Sequence, residues 1–297
     1  MLTKKEKYEK LVDAVQEDYR NRSCSIQVSR TGAKKTINVH QCAHEGKQLN
    51  LWSYWQGSLE AKILVVGQDW GCFKPNGDGY KNAQLDFQMK KNFEQIDAGD
   101  SSVKYFTGTE GLKRSDTDEN LIAYFKQLGL GFENIEEPNS KLFFTNLCLG
   151  YRSDGFTGGF RRKWLKEDLP YFYKKAADPD KEPCLLEILR PKIVICLGKE
   201  VYCALYNAIT GTRSDGREFY VSLDSGKNYF EEKPYGETIR FYGLAHPGNM
   251  GTANRYTKSE GYKKGESSGG EGRKLQEEDW RAVGVYWRAI EKEDNPI

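Results

Sequence analysis

Strand-length apolar runs that alternate with helix-like stretches predict an α/β fold. The expected form is a three-layer α/β/α arrangement around a central, mainly parallel four-stranded sheet. Ile63-Leu64-Val65-Val66, Leu142-Phe143-Phe144-Thr145-Asn146-Leu147, Lys192-Ile193-Val194-Ile195-Cys196-Leu197 and Ile239 to Ala245 are the four runs. Gly67, Asn146, Gly198 and His246 stand at or beside their ends, where they stop a strand or bring chemistry to it. Open sheets of this kind bind their ligands in the crevice outside the carboxyl ends of the strands.

The elements follow in order. Tyr8, Leu11, Val12, Val15 and Tyr19 recur at helical spacing and predict an amphipathic helix over 5–19. Residues 21–50 read as polar and irregular. After the first strand, a glycine-rich turn leads into a long polar stretch, 74–116, expected to be an insertion. Thr117 or Asp118 can cap a helix that buries Leu121, Ile122, Phe125 and Leu128 and ends at Gly129. A basic, glycine-containing segment and a helix leading to Pro191 connect the second strand to the third. Lys199 to Tyr206 reads as the next helix, 211–236 as a polar loop or hairpin, and 258–274 as a flexible Gly/Ser/Lys/Glu-rich loop. Trp280, Val283, Tyr286, Trp287 and Ile290 mark a closing helix. The whole is expected to be one domain over 1–297, with an N-terminal extension to about residue 58.

Composition narrows the function classes. The chain has 297 residues, 38% of them hydrophobic and 30% charged, which suits a folded domain with a highly polar surface. No apolar run approaches the roughly 20 residues of a membrane helix. The N-terminal Met1-Leu2-Thr3-Lys4-Lys5-Glu6-Lys7 lacks the apolar centre of a signal peptide, so the expectation is a cytoplasmic protein without a membrane partner. Seven cysteines, an odd number spread over a large chain, do not make a disulfide framework. A net charge of +2 permits a nucleic-acid partner without demanding one, and aromatics at 13% supply rings that stack on bases or fill a core.

The strand ends carry a constellation. Gly67-Gln68-Asp69-Trp70-Gly71, Phe144-Thr145-Asn146, Leu189 to Gly198 and His246-Pro247-Gly248 fall in that order. Together they resemble the four motifs of the uracil-DNA glycosylase superfamily over about residues 60–255. The departures are Trp70-Gly71, where common members have Pro-Tyr, and Gly248, where they have Ser. These mark a divergent branch. The resemblance implies a DNA repair glycosylase that hydrolyses the N-glycosidic bond of uracil or a related damaged base flipped out of DNA. The partner would be DNA containing that base, and the chain a monomer. Asp69 would hold or deprotonate the attacking water and His246 would donate to the departing base. Gln68, Gly71, Phe73 and Asn146 would form the base pocket, with Asn146 pairing to the O4 and N3–H edge of uracil and Phe73 stacking on its ring. Gly71 supplies none of the wall that a tyrosine gives uracil-selective members, so bulk at C5 is expected to be tolerated. Gly248 and Met250 would contact DNA, Met250 as the wedge that fills the gap left by the flipped base.

Some glycosylases of the superfamily hold a 4Fe-4S iron–sulfur cluster on four cysteines, and Cys24, Cys42, Cys148 and Cys184 occupy roughly those regions. The usual Cys-x-x-Cys pair is absent. Zinc on Cys24, His40, Cys42 and His44 is an alternative, and free or buried thiols are another. Two further functional readings stay open on the residues alone. One is a non-catalytic module that binds DNA or a partner protein. The other is a hydrolase acting on a free nucleotide or nucleoside.

Overall fold

The computed structural model describes residues 2–21, 25–29, 34–40, 57–68, 70–71, 116–130, 141–149, 151–152, 162–175, 183–214 and 216–294. Its strands are β1 (Ser25–Ser29), β2 (Lys34–His40), β3 (Ile63–Gly67), β4 (Trp70–Gly71), β5 (Leu142–Asn146), β6 (Tyr151–Arg152), β7 (Ile193–Leu197), β8 (Tyr229–Glu232) and β9 (Ile239–Leu244). The helices are α1 (Lys4–Asn21), α2 (Asp116–Gln127), α3 (Arg162–Phe172), α4 (Leu185–Leu189), α5 (Lys199–Thr210), α6 (Phe219–Asp224), α7 (Asn249–Thr257) and α8 (Ser268–Asp294). Among the described residues, no helix is long and apolar enough to cross a membrane.

The four expected strands form the parallel body of a sheet ordered β5-β3-β7-β9, and β8 joins its edge antiparallel to β9. Strands with both faces covered read as continuous apolar runs, because every side chain meets a helix. Successive residues feed opposite cores. Leu64, Val66, Phe143, Val194, Cys196 and Phe241 pack with α1, α4 and α5 on one side. Ile63, Val65, Leu142, Phe144, Ile195 and Leu244 pack with α2, α6 and α8 on the other. The expected three-layer α/β/α fold is present.

The sheet has one strand more than expected, and the extra strand explains itself. Tyr229-Phe230-Glu231-Glu232 sits at an edge with its residues half-buried or exposed, so nothing forces an apolar sequence on it. Phe230 stacks flat on Phe241 with ring centroids 4.7 Å apart, which anchors the hairpin. Residues 21–50 are also more regular than expected. β1 and β2 form a hairpin there, and β6 and β4 extend it to a second four-stranded sheet. The segment 258–274 is not a loop to its end, since α8 begins at Ser268. A Cβ on Gly272 would collide with the Thr252 carbonyl oxygen, so this glycine serves the close approach of α8 to α7. The expected insertion at about 74–116 lies, but for its last residue, outside the described residues.

Register decides where the site can be. Gly67 stands opposite Asn146, Val66 opposite Cys196 and Leu197 opposite Leu244. The carboxyl ends of the four parallel strands therefore finish level. From β3 the chain crosses to β5 on one side, and from β5 it crosses back past β3 to β7 on the other. That reversal opens a crevice between the ends of β3 and β7, where doubly wound sheets take their ligands.

Candidate functional site

β9 runs out through Ala245 into His246-Pro247-Gly248, and α7 starts at the next residue. The Gly248 N–H donates to His246 Nδ1 at 3.0 Å. A neutral imidazole with Nδ1 accepting carries its proton on Nε2, so the ring presents an N–H outward. His246 is exposed in the turn that follows β9. The hydration lost there pulls its pKa down to about 4, and the ring is neutral at pH 7.

The turn that carries His246 is clamped from behind. Gln276 of α8 is buried, and its Nε2 donates to the carbonyl oxygens of Ala245 and His246, each at 3.0 Å. Its Oε1 accepts from Tyr124 Oη at 2.6 Å and from Thr252 Oγ1 at 2.8 Å. Asn120 of α2, also buried, donates from Nδ2 to the Pro247 carbonyl at 2.7 Å. A Cβ on Gly251 would strike the His246 carbonyl oxygen, so α7 closes tightly over the turn. A buried polar network in which every member is satisfied selects a single geometry. Replacing Gln276 with Leu keeps the volume but strands two carbonyls and two hydroxyls, and is expected to destabilise the fold by roughly 2–4 kcal/mol. Urea unfolding of the two proteins side by side checks this, and equal midpoints would contradict it.

Asn146 closes β5 on the same sheet edge. The residue is 3% exposed, and among the described residues its Oδ1 has no hydrogen-bond partner. A buried acceptor left without a donor is rare in folded proteins and calls for an explanation. The backbone around it is well held. The Leu147 N–H donates to the Gly67 carbonyl at 3.0 Å and the Cys148 N–H to the Gln68 carbonyl at 2.9 Å. Gln68 thus contributes its backbone to the join between β3 and β5.

The other expected site residues fall as follows. Asp69 and Phe73 lie outside the described residues, and Gly71 ends β4, where it pairs with Arg152. Gly198 begins α5 beside His246: a Cβ on it would come within 3.6 Å of the His246 Cβ. Gly248 precedes α7 with no side-chain cap, and Met250 in its first turn is 72% exposed. Sequence reasoning missed Asn120, Gln276 and the buried Asp168, whose Oδ2 accepts the Leu149 N–H at 2.8 Å.

Of the four cysteines proposed for a cluster, Cys24 and Cys42 lie outside the described residues. Cys148 is buried just past β5, and Cys184 is buried with its Sγ 3.0 Å from Tyr235 Oη. Cys24, Cys42 and His44 of the zinc alternative are likewise outside them, and of His40 only the backbone is described. Among the described residues, no group of three or more His, Cys, Asp or Glu stands where it could hold a metal ion.

Compared with known proteins, the chain matches no family model and no curated protein.

Proposed function

We propose that this protein is a DNA glycosylase that removes uracil or a related base flipped out of DNA. The observation that carries the reading is the buried, partnerless Oδ1 of Asn146 on the same strand-end edge as the exposed, neutral imidazole of His246. A carboxamide offers an acceptor and a donor side by side, matching the N3–H and O4 of uracil. An unpaired acceptor in a dry site is completed by a ligand N–H and leaves a base that lacks one poorly bound.

The chemistry follows from charge. Cleaving the N-glycosidic bond builds positive charge on the sugar and negative charge on the leaving base. His246 would donate its Nε2–H to the pyrimidine oxygen as that charge develops, an interaction stronger in the transition state than in the ground state. Asp69, next in sequence after Gln68, would hold the attacking water and stabilise the sugar cation. Met250, in the first turn of α7 after the His246 turn, is exposed and would fill the space vacated by the extruded base.

Replacing Asn146 with Ala is expected to weaken binding of free uracil by at least about tenfold, the equivalent of one hydrogen bond to a neutral group. Calorimetry on the full chain reads this directly, with cytosine as the base that the wild type should bind poorly. Equal affinity of the wild type for uracil and cytosine would overturn the assignment of Asn146.

A further inference from the structure

We propose that Asp168 is a positioning residue for base recognition, acting through the segment 147–149 on Asn146. The inference rests on the glycosylase reading and extends it to a residue that need not touch substrate.

Carboxylates are almost never fully buried unless something pairs with them. Asp168 is wholly buried on the apolar face of α3, at helical spacing with Leu165, Leu169 and Phe172. It pairs with a backbone donor at the edge of the site, the Leu149 N–H at 2.8 Å. Three successive amides leave the end of β5. Those of Leu147 and Cys148 find the Gly67 and Gln68 carbonyls, which continue the ladder to β3. β3 ends at Gly67, and the third amide takes the Asp168 carboxylate instead. A buried amide left without an acceptor costs more than an ordinary hydrogen bond contributes, so this acceptor fixes where the segment can lie. Asp168 also shares the wall of a small cavity with Thr145, Asn146 and Tyr171.

Two consequences follow from this placement. Asn146 Oδ1 has no partner among the described residues, so the aim of the carboxamide depends on the backbone that carries it. The same segment holds the Gln68 carbonyl, one residue before Asp69, through the Cys148 N–H. Releasing Leu149 would loosen the base-reading group and the strand end that leads to the proposed water-holding carboxylate. Misplacement by about 1 Å is enough to lose on the order of a hundredfold in rate.

The test uses the full chain with Asp168→Ala and Asp168→Asn, the second of which keeps an acceptor of the same reach. Affinity for free uracil and for DNA carrying an abasic site are measured for each, since abasic DNA has no base for Asn146 to read. Asp168→Ala is expected to weaken uracil by at least about tenfold and abasic DNA by less than about twofold, while Asp168→Asn keeps both near wild type. Folded Asp168→Ala with wild-type uracil affinity would overturn the proposal, as would an equal loss of uracil and abasic DNA. If Asp168→Ala does not fold, Asp168→Asn decides: retained uracil affinity supports the acceptor role and lost affinity overturns it. A wild type that neither binds uracil nor excises it fails the glycosylase reading before any variant is compared, and the proposal falls with it.

Discussion

Asp69→Asn and His246→Ala are each expected to lower single-turnover excision of uracil by at least about tenfold, because one group that stabilises developing charge is typically worth roughly 2.7–4 kcal/mol. Asn is nearly isosteric with Asp but removes the negative charge that would face the sugar cation. Ala at 246 removes the outward N–H and leaves the turn itself in place, since its carbonyls are held by Gln276 and Asn120 rather than by the ring. Circular dichroism and thermal unfolding close to wild type are therefore expected alongside the loss of rate. Wild-type rates in both variants would remove the assignment of these residues.

Arg255→Met is expected to unfold the protein far more readily, by about 3–5 kcal/mol, since removing one member of a buried ionic cluster leaves the others uncompensated. The Arg255 side chain is 3% exposed and lies between two carboxylates. Its Nε and one terminal nitrogen grip Asp279 at 2.7 and 3.0 Å, and the other terminal nitrogen reaches Asp224 at 2.6 Å. The cluster ties α7 to α8 and to the end of α6. Burial pushes the Asp279 carboxyl above its ordinary range against the pull of Arg255. A carboxyl whose folded pKa is raised adds stability below its unfolded pKa and loses it as pH rises through the folded value. Without the guanidinium that rise is larger, so the deficit of the variant should shrink at acid pH. Urea unfolding at pH 5 and pH 8 reads this, and a deficit equal at both would contradict it.

The parts of the fold legible in the sequence are those where burial constrains both faces of an element. β3, β5, β7 and β9 announce themselves as apolar runs because helices cover each side of the sheet. β8 is silent because it lies at an edge, and α8 hides its start because its first turns hold three glycines that look like loop residues, one of them, Gly272, needed for packing on α7. The strand-end groups were legible as well, since Asn146 and His246 each interrupt an apolar run. The residues that hold them were not. Gln276 lies at helical spacing with Trp280, Val283 and Trp287, and Asp168 with Leu165 and Phe172, so each is one polar residue on an apolar helix face. That misfit is the only local signal such residues leave, and its meaning emerges when the backbone they bind is known.

Cleavage of uracil-containing oligonucleotides by the wild-type chain tests the central claim most directly. Single-stranded, A-paired and G-mismatched uracil, with 5-substituted uracils beside them, would be incubated with the protein, treated with alkali and resolved on a denaturing gel. The account predicts strand breakage at the uracil position, greatest where extrusion of the base is easiest. Intact strands across that panel and a panel of other damaged bases would contradict it, and so would release of base from free nucleotides alone.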